Sequence, residues 1–306
     1  SPHLTFGTMA HEVLYKAGVM RDEYNDGLEL DYTSCIPSEV VNQDLKTFFQ
    51  IKSWRQYFLP AIKKIAEYEE EVMQEAGTEW PESNWEIHRE VRLQMSPEQV
   101  QNNFATLVKQ PFVGIIDFLV LGSNSAIILD YKFSDKIKGQ DDFDQNSQLP
   151  LYAAMVSLLY GIPERNIKVG YIDIPKKMFD KPTVLTNGTL SRSKSQNCSA
   201  DMYKKAVQVI HGDDKVYNCE PGGYYYECWC NLQLNKAAYL TMQYLDQEAS
   251  HEILRDLMST AYMIDFVFDG DKLPYLRKYS SYTCKGCEYL PVCKPWLTVG
   301  GTDAGD

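Results

Sequence analysis

Asp117, Asp130 and Lys132 carry the clearest chemical signal in the sequence, because each interrupts a run that is otherwise apolar. Asp117 lies within Phe-Val-Gly-Ile-Ile-Asp-Phe-Leu-Val-Leu (112–121). Asp130 and Lys132 lie within Ser-Ala-Ile-Ile-Leu-Asp-Tyr-Lys-Phe (125–133). Both runs have the length and branched composition of buried strands, and Gly122-Ser123-Asn124 between them signals a hairpin turn. Residues two apart on a strand share a face, so Asp130 and Lys132 point the same way. With the turn centred on Ser123 and Asn124, residue 122 faces 125, and Asp117 falls opposite Asp130 with Cβ atoms about 5 Å apart. Two carboxylates at that distance repel. A divalent cation between them removes the conflict, and hard oxygen ligands suit Mg²⁺ or Mn²⁺. The bland alternative is a solvated hairpin end, which the neighbours Ile115, Ile116, Phe118, Ile128 and Leu129 contradict.

The elements that must hold these residues follow from periodicity. Residues 7–18 form a helix that carries His11. Helical spacing runs from Asn42 to Ala76, with Pro60 expected to kink or split it and Gly77 to end it. Residues 86–94 alternate as a half-buried strand, with Ile87, Val91 and Leu93 inward and His88, Glu90 and Arg92 on the polar face. Residues 146–160 form an amphipathic helix in which Gln148 and Tyr152, four apart, are neighbours on one face. A further strand spans 167–174. Residues 180–200 read as a polar surface loop, and 201–212 and 231–268 as helices on either side of an aromatic, cysteine-bearing stretch, 216–230. Tyr224, Tyr225, Tyr226 and Trp229 in that stretch fit either a packed hairpin or a surface on which bases stack. No internal repeat or clean domain boundary is visible, so a single domain over 1–306 is expected.

The motif Gly114-Ile-Ile-Asp117 followed by Asp130-Tyr-Lys132 resembles the catalytic core of PD-(D/E)XK nucleases. Three further matches resemble the RecB-like branch: Phe6-Gly7-Thr8-x-x-His11, Gln148-x-x-x-Tyr152, and Cys284-x2-Cys287-x5-Cys293. The last is similar to the iron–sulfur staple of AddB, of CRISPR-associated exonucleases and of related phage proteins. The resemblance runs from residue 6 to 293. It implies an α/β fold with a mixed central sheet flanked by helices and carrying helical insertions. It also implies a metal held by His11, Asp117, Asp130 and the carbonyl of Tyr131, with Glu90 in support. Lys132 would be the catalytic lysine, with Gln148 and Tyr152 bordering the site. The implied reaction is hydrolysis of DNA, single-stranded or with a free end, by an exonuclease of repair, recombination, phage DNA processing or CRISPR adaptation, with a helicase or recombination partner. A non-catalytic DNA-binding or scaffold subunit, and an RNA nuclease, are the competing readings.

A [4Fe–4S] cluster needs a fourth thiolate beside Cys284, Cys287 and Cys293. In the family it lies upstream of the His motif, and this sequence opens at Ser1. The fourth ligand is therefore beyond the sequence, or is Cys35, or the cluster is incomplete. Zn²⁺ competes for such a thiolate set. Cys228 and Cys230, one residue apart, would share a face on a strand, and Cys198 and Cys219 read as free thiols.

Composition limits the rest. The 306 residues carry a net charge of −12, which argues against a protein that coats nucleic acid through a basic surface. Lys136, Lys138, Lys176 and Lys177 near the site could still contact phosphates. No apolar run approaches the roughly 20 residues of a membrane span, and no signal peptide is seen. A cytoplasmic location is expected, in which the one tight cluster among the eight cysteines serves a metal before a disulfide.

Overall fold

Five strands line up in sequence order, β1 to β5, in a computed structural model that describes residues 2–24, 30–37, 53–81, 84–134, 143, 147–176, 178–212 and 214–268. Strand β1 is Glu86–Met95, β2 Phe112–Leu121, β3 Ala126–Ser134, β4 Ile167–Pro175 and β5 Tyr239–Tyr244. Only β3 and β4 are parallel. A parallel pair needs a crossover, and helix α4 (Gln148–Tyr160) supplies it. The remaining helices are α1 (Pro2–Glu23), α2 (Trp54–Glu79), α3 (Pro97–Phe104), α5 (Ala200–His211), α6 (Tyr226–Leu232) and α7 (Gln247–Phe268). The sheet and the site lie in one compact unit, Ser1–Ser259; of the second, which begins at Thr260, the described residues are the last turns of α7. The mixed sheet flanked by helices is the α/β architecture expected.

Helices α1 and α2 cover one face of the sheet. In α1, Phe6, Ala10, Val13, Leu14 and Ala17 recur at threes and fours and are buried. In α2 the buried set includes Trp54, Phe58, Ile62, Ile65, Val72 and Ala76. These pack on Phe118, Val120, Ile127 and Leu129 of the sheet. Ser53 caps α2 by accepting from the Gln56 amide. The helix runs through Pro60 without a break and past Gly77, against expectation; residues 42–52, the start of the periodic stretch, lie outside the described residues.

Two other expectations fail. The stretch 231–268 is not one helix: α6 ends at Leu232, and Tyr239–Tyr244 pairs antiparallel with β4. The Ala, Leu and Gln content there favours a helix, but the unpaired edge of the buried strand β4 overrides it. Cys228 and Cys230 consequently sit on a helix, where residues two apart diverge; Cys228 is buried and Cys230 half-buried. The residues 180–200 are largely exposed, yet Leu190 and Cys198 join Tyr203, Cys219, Tyr225, Cys228 and Leu232 in a second small core. Tyr225 is thus packing material. Burial pushes the Cys198 and Cys219 thiols up to about 11.

Strand β1 also departs from simple alternation. Arg89 pairs with Phe118, on the face covered by α1 and α2, while Leu93 pairs with Gly114. A Cβ on Gly114 would lie 2.7 Å from the Tyr152 ring, so that pair faces α4 instead. Residues 89 and 93 would share a face in a regular strand. Between them Glu90 has φ +49°, a left-handed conformation rare for a side-chain-bearing residue and foreign to a strand. Ile87, expected inward, is accordingly exposed, and Arg89 is buried.

Arg89 is buried because α2 offers it a partner. Glu69 falls on the apolar stripe of α2 and is only 5% exposed. Arg89 donates Nη1 to its Oε1 (2.9 Å) and Nη2 to its Oε2 (2.8 Å). Arg21 of α1 donates to Oε2 and the Tyr131 hydroxyl to Oε1, each at 2.8 Å. Burial raises the affinity of Glu69 for a proton, but the two guanidinium groups outweigh it and hold the carboxyl below its ordinary value of 4.5. A depressed folded-state value gives stability that is complete above the unfolded value and lost as pH falls through the folded one. The thermal midpoint of the wild type should therefore exceed that of Glu69→Gln by a constant margin at neutral pH. The margin should shrink as pH drops below 4.5. Calorimetric melts of both proteins across that range check it, and a margin independent of pH would contradict the assignment.

Candidate metal centre

The hairpin register is the expected one. Phe118 pairs with Leu129, Leu119 with Ile128 and Leu121 with Ala126, and the turn closes with Gly122 N–H donating to Ser125 O (2.9 Å). The β2–β3 ladder ends at Phe118–Leu129, one residue short of the carboxylates. Beyond it the Tyr131 amide donates to Asp117 Oδ2 at 2.6 Å. A side chain therefore takes the place of a strand partner, and the sheet opens where Asp117 and Asp130 lie. The β1–β2 pairing skips the same level: Arg89–Phe118 and Val91–Ile116 are paired, while Glu90 and Asp117 between them are not.

His11 enters this opening from α1. Its Nδ1 lies 3.0 Å from Asp117 Oδ1 and 3.7 Å from Glu90 Oε1. The ligand atoms of His11, Glu90 and Asp117 all lie within 4.8 Å of one another, the one such group among the described residues. Phe6 anchors the helix one turn earlier, with Trp54, Phe58 and Phe133 ringed around it at centroid distances of 5.6–6.4 Å. Phe133 also packs edge-on against the His11 ring at 5.7 Å. Gly7, a turn before His11, is open: a Cβ there would meet nothing within 4 Å.

Asp130, only 2% exposed, stands outside that converging group. Its Oδ2 is paired with Lys132 Nζ at 2.5 Å. Burial, opposed by Lys132 and assisted by the Asp117 charge, raises its pKa to about 6. Lys132 Nζ donates to Gln148 Oε1 (2.8 Å), and Gln148 Nε2 donates to the Tyr152 hydroxyl (2.7 Å). Lys132 is thus fixed from two sides by Asp130 and by a helix-borne amide. Burial also raises the Tyr152 pKa, so its hydroxyl stays neutral.

Of the residues singled out in the sequence, His11, Glu90 and Asp117 meet, and Asp130, Lys132, Gln148 and Tyr152 form a linked chain beside them; Glu90 is closer to the centre than its place on the polar face of a strand implied. The ring of Tyr131 points away to Glu69. Glu69, Arg89, Arg21 and Asp22 were not singled out. A signal existed in the spacing Ile62, Ile65, Glu69, Val72, Ala76, which sets a carboxylate on an apolar stripe. Cys284, Cys287 and Cys293 lie outside the described residues, as do Lys136, Lys138 and Lys177. Cys35 is buried at the end of a 3₁₀ turn, Tyr32–Cys35, packed in the core with α1 and α2. No described helix is long and apolar enough to cross a membrane.

The donor set fits a divalent cation: one imidazole nitrogen and clustered carboxylate oxygens, with the buried Asp130 carboxylate on the neighbouring strand. A mixed sheet that opens around such a set, with a tethered lysine beside it, defines a metal-dependent hydrolase acting on an anionic ester. The chain belongs to the PD-(D/E)XK nuclease superfamily, whose family model matches residues 1–294. Members use divalent metals and cleave nucleic acid, and in this nuclease fold His11, Glu90 and Asp117 form a group that could hold such an ion. Among curated proteins none matches the chain.

Burial lowers the pKa of His11, but hydrogen bonds and charge from Asp117 and Glu90 outweigh this and raise it to about 10. In the metal-free protein at neutral pH the ring is therefore an imidazolium, whereas a ligating imidazole must be neutral. Mn²⁺ binding near pH 7 should release close to one proton, and its affinity should rise with pH until about 10. Titration calorimetry in buffers of different ionisation enthalpy counts that proton. A count of zero would exclude His11 as a ligand.

Proposed function

We propose that the protein is a metal-dependent deoxyribonuclease of the RecB-like branch. The observation that carries this is the meeting of His11, Glu90 and Asp117 at the opening of the sheet, with the Asp130–Lys132–Gln148–Tyr152 chain beside it. His11, Asp117, Asp130 and the Tyr131 carbonyl would hold Mg²⁺ or Mn²⁺, with Glu90 as ligand or as partner to a bound water. The cation supplies Lewis-acid activation of water and of the scissile phosphate.

The chain's own groups do the rest. Hydrolysis adds water across a P–O ester bond: hydroxide goes to phosphorus and a proton to the departing sugar oxygen. Negative charge grows on the phosphoryl oxygens during attack. Lys132 is a fixed cation that offsets it, and a cation already oriented by Asp130 and Gln148 needs little reorganisation when the charge forms. Tyr152 keeps Gln148 in place and thereby acts at one remove. Substrate with a free end, preferably single-stranded, and work in repair, recombination, phage DNA processing or CRISPR adaptation beside a helicase or recombination partner, are supported by the motif resemblance alone. So is the [4Fe–4S] cluster on Cys284, Cys287, Cys293 and Cys35. The non-catalytic scaffold reading is disfavoured because the lysine and both its anchors are intact.

Mn²⁺-dependent cleavage of end-labelled single-stranded DNA, duplex DNA and RNA tests the assignment. Lys132→Ala should lower the rate at least about 100-fold, and Asp117→Asn should abolish it. Because Lys132→Ala leaves the buried Asp130 without its cation, a thermal melt showing that the variant is folded accompanies the assay. Normal cleavage by either variant would refute the reading, and cleavage of RNA alone would move it to a ribonuclease. Separately, anaerobic reconstitution with iron and sulfide should produce a brown protein that loses its colour on Cys287→Ser. Colour that survives that change would remove Cys287 from the ligand set.

A further inference from the structure

Glu69 is a buried carboxylate that the reaction does not touch, yet each of its three partners comes from an element that carries the site. Arg21 belongs to α1, which carries His11. Arg89 immediately precedes Glu90 on β1. Tyr131 lies between Asp130 and Lys132 on β3, and its amide holds Asp117 of β2. We propose that Glu69 is a positioning residue for the metal centre, its carboxylate tying Arg89 of β1 to Tyr131 of β3 across the strand that bears Asp117. The proposal rests on the metal-centre reading above and adds a residue to it.

Three observations support this over a purely structural ion pair. Burying a carboxylate with two guanidinium groups costs heavy desolvation, and apolar residues of similar volume commonly stabilise a core as well or better. A network kept at that cost, with partners flanking every proposed ligand on the sheet, has the layout of outer contacts that orient metal ligands. Second, the β1–β2 pairing skips Glu90 and Asp117 and the β2–β3 ladder ends before Asp117 and Asp130, so these residues are not paired with one another across the strands. The Arg89–Glu69–Tyr131 bridge spans the interruption on the face covered by α1 and α2. Third, Arg89 is locked. It donates Nε and Nη2 to Asp22 at 2.7 and 3.0 Å as well as two bonds to Glu69, and its guanidinium lies 5.0 Å from the Phe118 ring. It passes so close to α1 that a Cβ on Gly18 would sit 2.6 Å from its Nε. A residue held this firmly can sustain the left-handed backbone of the next one, Glu90.

The test uses the full chain without DNA and reads Mn²⁺ binding by titration calorimetry beside thermal melts. Tyr131→Phe removes one hydroxyl and keeps the ring, the amide and the carbonyl. It should raise the Mn²⁺ dissociation constant about tenfold, and Glu69→Gln should raise it at least as much. Tyr68→Phe is the matched control: its buried hydroxyl lies one residue away on α2 and donates to Ala238 O at 3.1 Å, outside the network. It should lower the melting temperature and leave Mn²⁺ affinity unchanged. Asp117→Asn should lose Mn²⁺ binding. If it does, and Tyr131→Phe still binds Mn²⁺ like the wild type, Glu69 has only a structural role and the proposal falls. If Asp117→Asn binds Mn²⁺ normally, the metal centre itself is misplaced and this proposal goes with it. Should Glu69→Gln fail to fold, Tyr131→Phe alone decides.

Discussion

Carboxylate repulsion at the opening of the sheet is the constraint around which the rest is arranged. Glu90, Asp117 and Asp130 stand on three adjacent strands at the level where the strands stop pairing. Two unit charges 4 Å apart interact by about 4 kcal/mol in a medium of effective dielectric 20, so three such groups cannot stay ionised together without compensation. Two cations supply it in the protein alone. His11 sits against Asp117 and Glu90, and Lys132 against Asp130. The rise in the His11 and Asp130 pKa values records the same pressure from opposite sides, one group keeping its proton and the other readily taking one. Three anions against two cations leave a deficit of positive charge that a divalent ion would fill, displacing the His11 proton if the ring ligates it.

The backbone conforms to that constraint. A continuous ladder through Glu90, Asp117 and Asp130 would use their amides and carbonyls for strand pairing. Instead Asp117 accepts the Tyr131 amide, and Glu90 takes a left-handed conformation costing about 1–3 kcal/mol. Such strain persists only where the surroundings over-determine it. The residue before Glu90 is fixed by four hydrogen bonds from its guanidinium, and the residues after it pack toward α4. The turn of the chain at Glu90 brings a carboxylate to the centre that would otherwise only border it.

Much of this was legible in the sequence because the informative residues violate their surroundings. A carboxylate in a run such as Ile-Ile-Asp-Phe-Leu cannot be explained by packing, and the turn at Gly122–Asn124 fixes the register of the whole hairpin, so Asp117 and Asp130 could be brought together from spacing alone. His11, Gln148 and Tyr152 were legible through motif resemblance; helical spacing gives only their faces. Two features escaped for physical reasons. β5 has helix-compatible composition and owes its conformation to the vacant edge of β4, a tertiary cause no local window contains. The flip at Glu90 is a single dihedral set by its neighbours, and alternation through residues 86–94 conceals it. Glu69 is intermediate: its position on an apolar stripe was visible, but its partners lie 20, 48 and 62 residues away.

A net charge of −12 sits uneasily with a polyanionic substrate until distance is considered. At physiological ionic strength the screening length is about 8 Å, so acidic residues on remote surfaces add little to the potential that a phosphate meets at the site. Local charge decides binding there. The metal-free centre, with three carboxylates against His11 and Lys132, is net acidic and would repel a phosphate; a divalent ion in place of the His11 proton would cancel that excess and remove the repulsion. A cation bound there would thus bear on substrate approach as well as on chemistry. An acidic chain avoids holding nucleic acid through its general surface and confines attraction to the place where the bond is cut. The overall composition and the nuclease fold are compatible on those terms, and with an ion held by the carboxylates that strain the sheet, affinity for nucleic acid there would depend on that ion.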